Sequence, residues 1–162
     1  MRSWPIVIIL GLVSLLAHGG LKQDRKDKVV MQQHAKATFT VAAWDEKPYN
    51  EMEGSPKLTR ASVTKTYQGD IEGEGKLEYL MMYRSPKSAN FIGLERVVSR
   101  IGGRSGSFVL QHIGTFADGV AKVTLSIVAG SGTGDLATIA GEGQFEVGHQ
   151  PPYVVTLSYR LE

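Results

Sequence analysis

Apolar and polar residues alternate along most of this sequence from residue 35 onward, and this alternation limits the possible folds more than any other property. A period of two places successive side chains on opposite faces of the chain, which is typical of half-buried β-strands. Clusters of Gly, Pro, Asn and Asp divide the region into eight short runs. The eight predicted strands cover approximately residues 35–44, 58–67, 76–83, 89–100, 105–116, 121–128, 142–147 and 153–161.

The sequences between these runs predict tight hairpin turns. Gly102 and Gly103 suit a two-residue turn that needs positive φ at both central positions, and residues 85–88 and 118–119 suit two further turns. Consecutive strands should therefore pair antiparallel. An open meander would leave two exposed edges, whereas closure removes both. We predict an all-β fold, a single eight-stranded antiparallel β-barrel, with a two-sheet sandwich as the alternative.

The N-terminus is typical of an export signal. Residues 1–3 supply a short positive start through Arg2, residues 4–16 are almost wholly apolar, and residues 17–19 include the small residues that a signal peptidase requires. The apolar run of about thirteen residues is shorter than the roughly 20 that span a bilayer as a helix. We predict a signal peptide at 1–19, a charged linker at 20–34 and the barrel at 35–162, in a protein exported to the periplasm or the extracellular space. The alternative is an uncleaved membrane anchor, which the basic residues after the apolar run favour.

Composition excludes several classes of function. The absence of cysteine excludes disulfides, thiolate catalysis and cysteine-ligated zinc. Five of the 18 Lys/Arg and two of the 16 Asp/Glu lie in residues 1–28, so the remainder carries 13 basic and 14 acidic side chains. A scattered, nearly neutral charge argues against a nucleic-acid partner. Two glycine-rich stretches, residues 69–76 and 130–134, lack the residue order of a phosphate-binding loop. His34 and His149 have no partner at metal-binding spacing. We therefore expect no cofactor and no metal.

Four ordered motifs resemble a known bacterial family. They are KLTRASVTK at 57–65, GLER at 93–96, GGRSGSFVLQH at 102–112 and GTGDL at 132–136. Together they resemble domain of unknown function 3224 over approximately residues 38–159. The resemblance implies an allene oxide cyclase-like barrel, a fold shared by plant cyclases and dirigent proteins that often assemble as trimers. It implies no reaction and no catalytic residue, because one fold hosts many activities.

Counting outward from the Gly102-Gly103 turn brings two ionisable residues together. Glu95 should lie opposite Leu110 and His112 opposite Gly93, which makes Glu95 and His112 diagonal neighbours on one face, roughly 7–8 Å apart at Cα. That face carries several phenylalanines and is the predicted barrel interior. A buried carboxylate and imidazole need partners, and such sites are also where acid–base residues are tuned. Both are candidate catalytic residues; the alternative is that they only satisfy each other.

A ligand inside the barrel would contact side chains of the same face. The candidate ligand-binding residues are Tyr79, Glu95, Arg96, Phe108, Gln111 and His112. Arg96 and Gln111 belong to this set only if the inward and outward faces are reversed. A two-residue turn at Pro86-Lys87 also predicts Glu78 beside Glu95, where two neighbouring carboxylates would raise a pKa.

Three functions fit these residues. The first is a binding module that holds a small, largely apolar ligand in the lumen. The second is an isomerase or cyclase in which Glu95 acts as acid, base or charge stabiliser. The third is a structural homo-oligomer whose lumen is filled by its own side chains.

Overall fold

The computed structural model describes residues 31–148 and 150–162 as a closed eight-stranded barrel. The predicted signal peptide at 1–19, linker residues 20–30 and His149 lie outside the described residues. In chain order the strands are β1 (Gln33–Asn50), β2 (Lys57–Gly69), β3 (Ile71–Ser85), β4 (Ser88–Ile101), β5 (Arg104–Ala117), β6 (Val120–Ile127), β7 (Ala140–Val147) and β8 (Tyr153–Arg160). Each strand pairs antiparallel with its sequence neighbours, and β1 pairs with β8 to close the barrel. The predicted barrel is confirmed, and the sandwich alternative is wrong.

Turn chemistry fixes the pairing as the sequence predicts. Gly102 and Gly103 have φ angles of 58° and 78°, so both occupy the left-handed region that a two-residue hairpin turn requires. Asp118, at φ 49°, and Gly119, at φ 84°, form a second turn of this kind. The first strand begins at Gln33, where the sequence predicted linker.

β1 extends past the end of β8 as an arm, residues 43–50. β1 pairs with β8 over residues 33–39, and a register shift between Val41 and Ala43 then separates this part from the arm, which pairs with β2. Glu46 fastens the arm to the barrel end: its Oε1 accepts hydrogen bonds from Thr59 at 2.6 Å and from Tyr83 at 2.9 Å. Burial and the Glu46 carboxylate raise the pKa of Tyr83 to about 12.

The connection between β6 and β7, residues 128–139, closes the opposite end. It runs along β5, where Thr133 N donates to Ser107 O at 2.8 Å, and it contains a short 3-10 helix, Gly134–Leu136. A Cβ on Gly132 would collide with the Leu136 carbonyl oxygen. Leu136 itself is fully buried in the barrel core. The GTGDL motif is therefore explained by packing.

The two ends of the lumen differ. At the end with the β2–β3 and β4–β5 turns, side chains fill the interior; this packed end contains Ile71, Ile101, Phe108, Leu136, Ile139 and Leu157. At the end with the β3–β4, β5–β6 and β7–β8 turns a cavity of about 220 Å³ remains. No helix in the described part of the chain is long and apolar enough to cross a membrane.

Candidate functional site

Strands β4 and β5 bring Glu95 and His112 together inside the barrel. Glu95 lies opposite Leu110 and His112 opposite Gly93, the register predicted from the Gly102-Gly103 turn. Both side chains are 0% exposed. The candidate catalytic pair is thus buried on one face, while any catalytic role for it stays a prediction.

Arg96 and Gln111 lie on the outer face of the same strands and are exposed. Period-two alternation requires this, because each is one residue away from an inward-facing neighbour. The reversed assignment that would have placed these two in the lumen is wrong. They cannot contact a ligand inside the barrel.

Glu95 is the centre of a buried polar cluster formed with Lys65, Tyr67, Tyr79 and His112, here called the Glu95 cluster. Lys65 Nζ donates to Glu95 Oε2 at 3.1 Å, and the Tyr67 hydroxyl donates to Oε1 at 2.7 Å. The Tyr79 hydroxyl shares a hydrogen bond of 3.0 Å with His112 Nδ1. Buried charge is tolerated only when paired in this way.

His112 Nε2 makes the least satisfied contact of the cluster. It lies 2.8 Å from Glu95 Oε2, yet it forms no well-directed hydrogen bond with any described residue. The poor alignment makes this contact weaker than the hydrogen bonds that Lys65 and Tyr67 donate to Glu95.

Glycines make room for the cluster. A Cβ on Gly75 of β3 would overlap Glu95 Oε1, and a Cβ on Gly93 would lie 2.6 Å from Cδ1 of the Tyr79 ring. These two positions are empty of side-chain atoms because the carboxylate and the ring occupy that space. Gly75 thus leaves the space that the buried carboxylate occupies.

The charges of the cluster follow from burial and from mutual attraction. Burial raises the pKa of Glu95, but Lys65, His112 and Tyr67 together outweigh it and lower that pKa from 4.5 to about 2. Burial lowers the pKa of Lys65, an effect that Glu95 opposes. Burial also lowers the pKa of His112 from 6.5, so this imidazole is neutral at pH 7. The cluster therefore contains one buried ion pair and a neutral histidine.

The cavity meets this cluster at Lys65 and Tyr79, which belong to its lining. Most of the lining is apolar, with Phe39, Phe145 and Trp44 among its side chains. Lys65 Nζ lies 4.7 Å from the Phe39 ring centroid and 4.9 Å from that of Phe145, within the range of cation–π attraction.

Three of the predicted ligand-binding residues lie elsewhere. Glu95 and His112 sit behind Lys65 and Tyr79, and Phe108 belongs to the packed end. Of the six candidates, Tyr79 is the one that lines the cavity. No group of three metal-ligating side chains occurs in the described ranges.

The predicted contact between Glu78 and Glu95 is wrong. A register shift between Tyr83 and Ser85 moves the β3–β4 pairing by one residue, so Leu77 lies opposite Glu95. Glu78 points outward and bonds to Arg60 at 2.8 Å and to Ser62 at 2.7 Å, and these bonds lower its pKa.

Lys65 is a residue of the Glu95 cluster that the sequence analysis did not place inside the barrel. It follows Val63 and precedes Tyr67 at the inward positions of β2, so strand parity alone would have placed it inside. A lysine on a half-buried strand is usually assigned to the solvent face.

These features define a class of protein: a small antiparallel β-barrel, packed at one end, with an apolar cavity above a buried ion pair at the other. Residues 35–159 match the family described as Protein of unknown function (DUF3224), and the chain belongs to that family. A crystal structure of a family member from Shewanella oneidensis MR-1, described as a protein with unknown function, is similar, with a TM-score of 0.70 and 28% identity. The match covers 82% of this chain and 99% of that one. A comparison with curated proteins gave no match.

Proposed function

We propose that the domain binds a small, largely apolar molecule in the cavity at its open end. The observation that carries this proposal is an aromatic-lined, almost wholly apolar space of about 220 Å³ whose lining includes the side chains of Lys65 and Tyr79. Binding sites for small molecules typically combine such apolar walls with a few polar groups that fix orientation. The volume is below the roughly 300–1,000 Å³ of drug-sized sites, so the ligand should be compact.

The Glu95 cluster supports this site from behind. A lysine and a tyrosine are held in fixed positions by Glu95 and His112, which lowers the entropy that a ligand would have to remove. An isomerase or cyclase would need its substrate to reach Glu95, and Lys65 and Tyr79 separate that carboxylate from the cavity. A binding module therefore fits the geometry better.

Thermal unfolding with a panel of terpenoid alcohols and ketones tests the proposal. A ligand at 100 times its dissociation constant should stabilise the fold by about 2.7 kcal/mol and raise the melting temperature. Ala121→Trp fills the cavity lining and should abolish the shift, whereas Ala117→Trp, at an exposed position of the same hairpin, should preserve it. A panel without any shift, or equal shifts in both variants, would contradict binding in this cavity.

A homo-oligomer is a second proposal, favoured by an apolar row on the outer wall. Leu80, Ile92 and Ile113 lie side by side across β3, β4 and β5, and each is exposed. Such a row is typical of surfaces that associate. Light scattering should give a mass above that of one chain, and Ile92→Glu should reduce this mass; a monomeric wild-type protein would exclude the homo-oligomer.

Export behind residues 1–19 also stays a prediction, which the mass of the mature N-terminus would decide.

A further inference from the structure

Lys65 occupies an unusual position for a lysine. Its side chain is 3% exposed and lines the apolar cavity, and its amino group lies over the rings of two phenylalanines of the same lining. Lysines that are desolvated in apolar pockets are the ones that proteins use to form Schiff bases with carbonyl compounds. The exposed lysines of the barrel, such as Lys122, have no such environment.

We propose that Lys65 captures an aldehyde or ketone ligand covalently, as a Schiff base in the cavity. This inference rests on the proposed binding function and names its ligand class: a compact apolar molecule with one carbonyl group. The cavity supplies the apolar walls, and the amino group supplies the nucleophile.

Glu95 positions the amino group and stabilises positive charge on it, because its Oε2 lies 3.1 Å from Lys65 Nζ. The ammonium releases one proton to solvent at the open end of the cavity, which leaves a neutral amine. The amine attacks the carbonyl carbon, a proton moves from nitrogen to oxygen, and a carbinolamine forms. A proton from solvent returns to the carbinolamine oxygen, the C–O bond breaks, and one water molecule leaves.

The product is a protonated imine on Lys65. It carries one positive charge, as the ammonium did, so the buried ion pair with Glu95 is kept through the reaction. No oxidant, reductant or cofactor is required, because the ligand and the amino group contain every atom of the imine and the released water. The apolar walls exclude water and so oppose hydrolysis of the imine.

The burial that lowers the pKa of Lys65 supports this chemistry, because it increases the fraction of free amine near neutral pH. Glu95 opposes that effect, and the geometry of the cavity is therefore the principal argument.

Reductive trapping on the wild-type protein tests the proposal. Benzaldehyde and sodium cyanoborohydride at neutral pH should convert Lys65 to its N-benzyl derivative, which peptide mapping by mass spectrometry locates. Lys65 should react at least about tenfold faster than exposed Lys122, because the cavity holds benzaldehyde beside the Lys65 amino group. Benzyl alcohol, which has the ring without the carbonyl, should slow labelling of Lys65 and leave Lys122 unaffected. Ala121→Trp should also slow it.

An unlabelled Lys65 beside a labelled Lys122 would overturn the proposal. Thermal unfolding with benzyl alcohol then distinguishes the two claims. A shift that Ala121→Trp abolishes would leave the binding function standing and remove only the Schiff base, whereas no shift would remove both. Lys65→Arg, which keeps the charge without a nucleophilic amine, should lose the label at this position; the wild-type map decides the question if this variant does not fold.

Discussion

Replacing Lys65 with methionine should destabilise the barrel strongly. The substitution keeps most of the side-chain volume but leaves the Glu95 carboxylate buried without its cation. Removing one partner of a buried ion pair costs about 3–5 kcal/mol. The pKa of Glu95 sets a scale for its partners together: Lys65, His112 and Tyr67 outweigh burial and lower it from 4.5 to about 2, which corresponds to roughly 3 kcal/mol at about 1.4 kcal/mol per unit. The two estimates agree in order of magnitude.

A double-mutant cycle measured by urea denaturation tests this expectation. Lys65→Met and Glu95→Gln should each be costly, and the double variant should lose at least about 2 kcal/mol less than the sum, because neither partner is then left unpaired. Lys122 and Glu146 form an exposed ion pair at 3.6 Å and provide the matched control. Their cycle should give a coupling of only about 0.2–1 kcal/mol.

The lowered pKa of Glu95 also predicts how stability changes with pH. The pKa of Glu95 is lower in the folded state, so its contribution to stability is complete above pH 4.5 and is lost as the pH falls toward about 2. The difference in unfolding free energy between wild type and Glu95→Gln should therefore narrow over this window. A Lys65→Met variant that loses less than about 1 kcal/mol, or a coupling no larger than that of the surface pair, would refute the reasoning.

Three further predictions concern single residues. Burial lowers the pKa of His112, so the unfolded state binds a proton before the folded state does as the pH falls below 6.5, and the free energy of unfolding should decrease. In pH-dependent denaturation, His112→Gln should reduce the slope of unfolding free energy against pH. An unchanged slope would contradict this expectation. Gly75→Ala should lower the free energy of unfolding by about 2 kcal/mol or more, because the added Cβ overlaps the buried carboxylate. Gly148→Ala, where a Cβ meets no described atom, should change it by no more than about 0.5 kcal/mol. Equal melting temperatures of the two variants would contradict this expectation. Leu136→Ala should lower the free energy of unfolding, measured by urea titration, by about 2–5 kcal/mol. Leu94→Ala is the control and should lower it far less, because Leu94 is 57% exposed. Similar losses in the two variants would show that the β6–β7 connection does not close the core.

Most of the barrel could be predicted from the sequence because two local rules determine it. Strand periodicity assigns each side chain to a face, and the two-glycine turn sets the β4–β5 register, which together place Glu95 and His112 inside. The β3–β4 register could not be predicted in this way. The residue that causes its shift, Arg84, lies between Tyr83 and Ser85 and carries no turn or bulge signature.

The composition of the site was less predictable than its location. Lys65 has the correct parity for the interior, but its charge argues for solvent until a buried carboxylate on another strand is known. That partner is 30 residues away in sequence, so the pairing depends on the register of β2, β3 and β4 at once. Glu95 and His112 are separated from the cavity by the side chains of Lys65 and Tyr79. The conformations of these two side chains depend on packing, which strand periodicity does not predict.

The staggered ends of β1 and β8 give the cavity a rim of uneven height. β8 starts at Tyr153, which pairs with Phe39, whereas β1 continues past Phe39 to Asn50. Under the proposed binding function, a ligand would therefore enter over the low β8 side of the rim, without displacing the β1 arm. Only the part of such a ligand that lies inside the cavity would have to match the enclosed volume. The remainder would lie outside the cavity, along the β1 arm. The barrel should accordingly discriminate among ligands by the shape of one end and tolerate variation at the other.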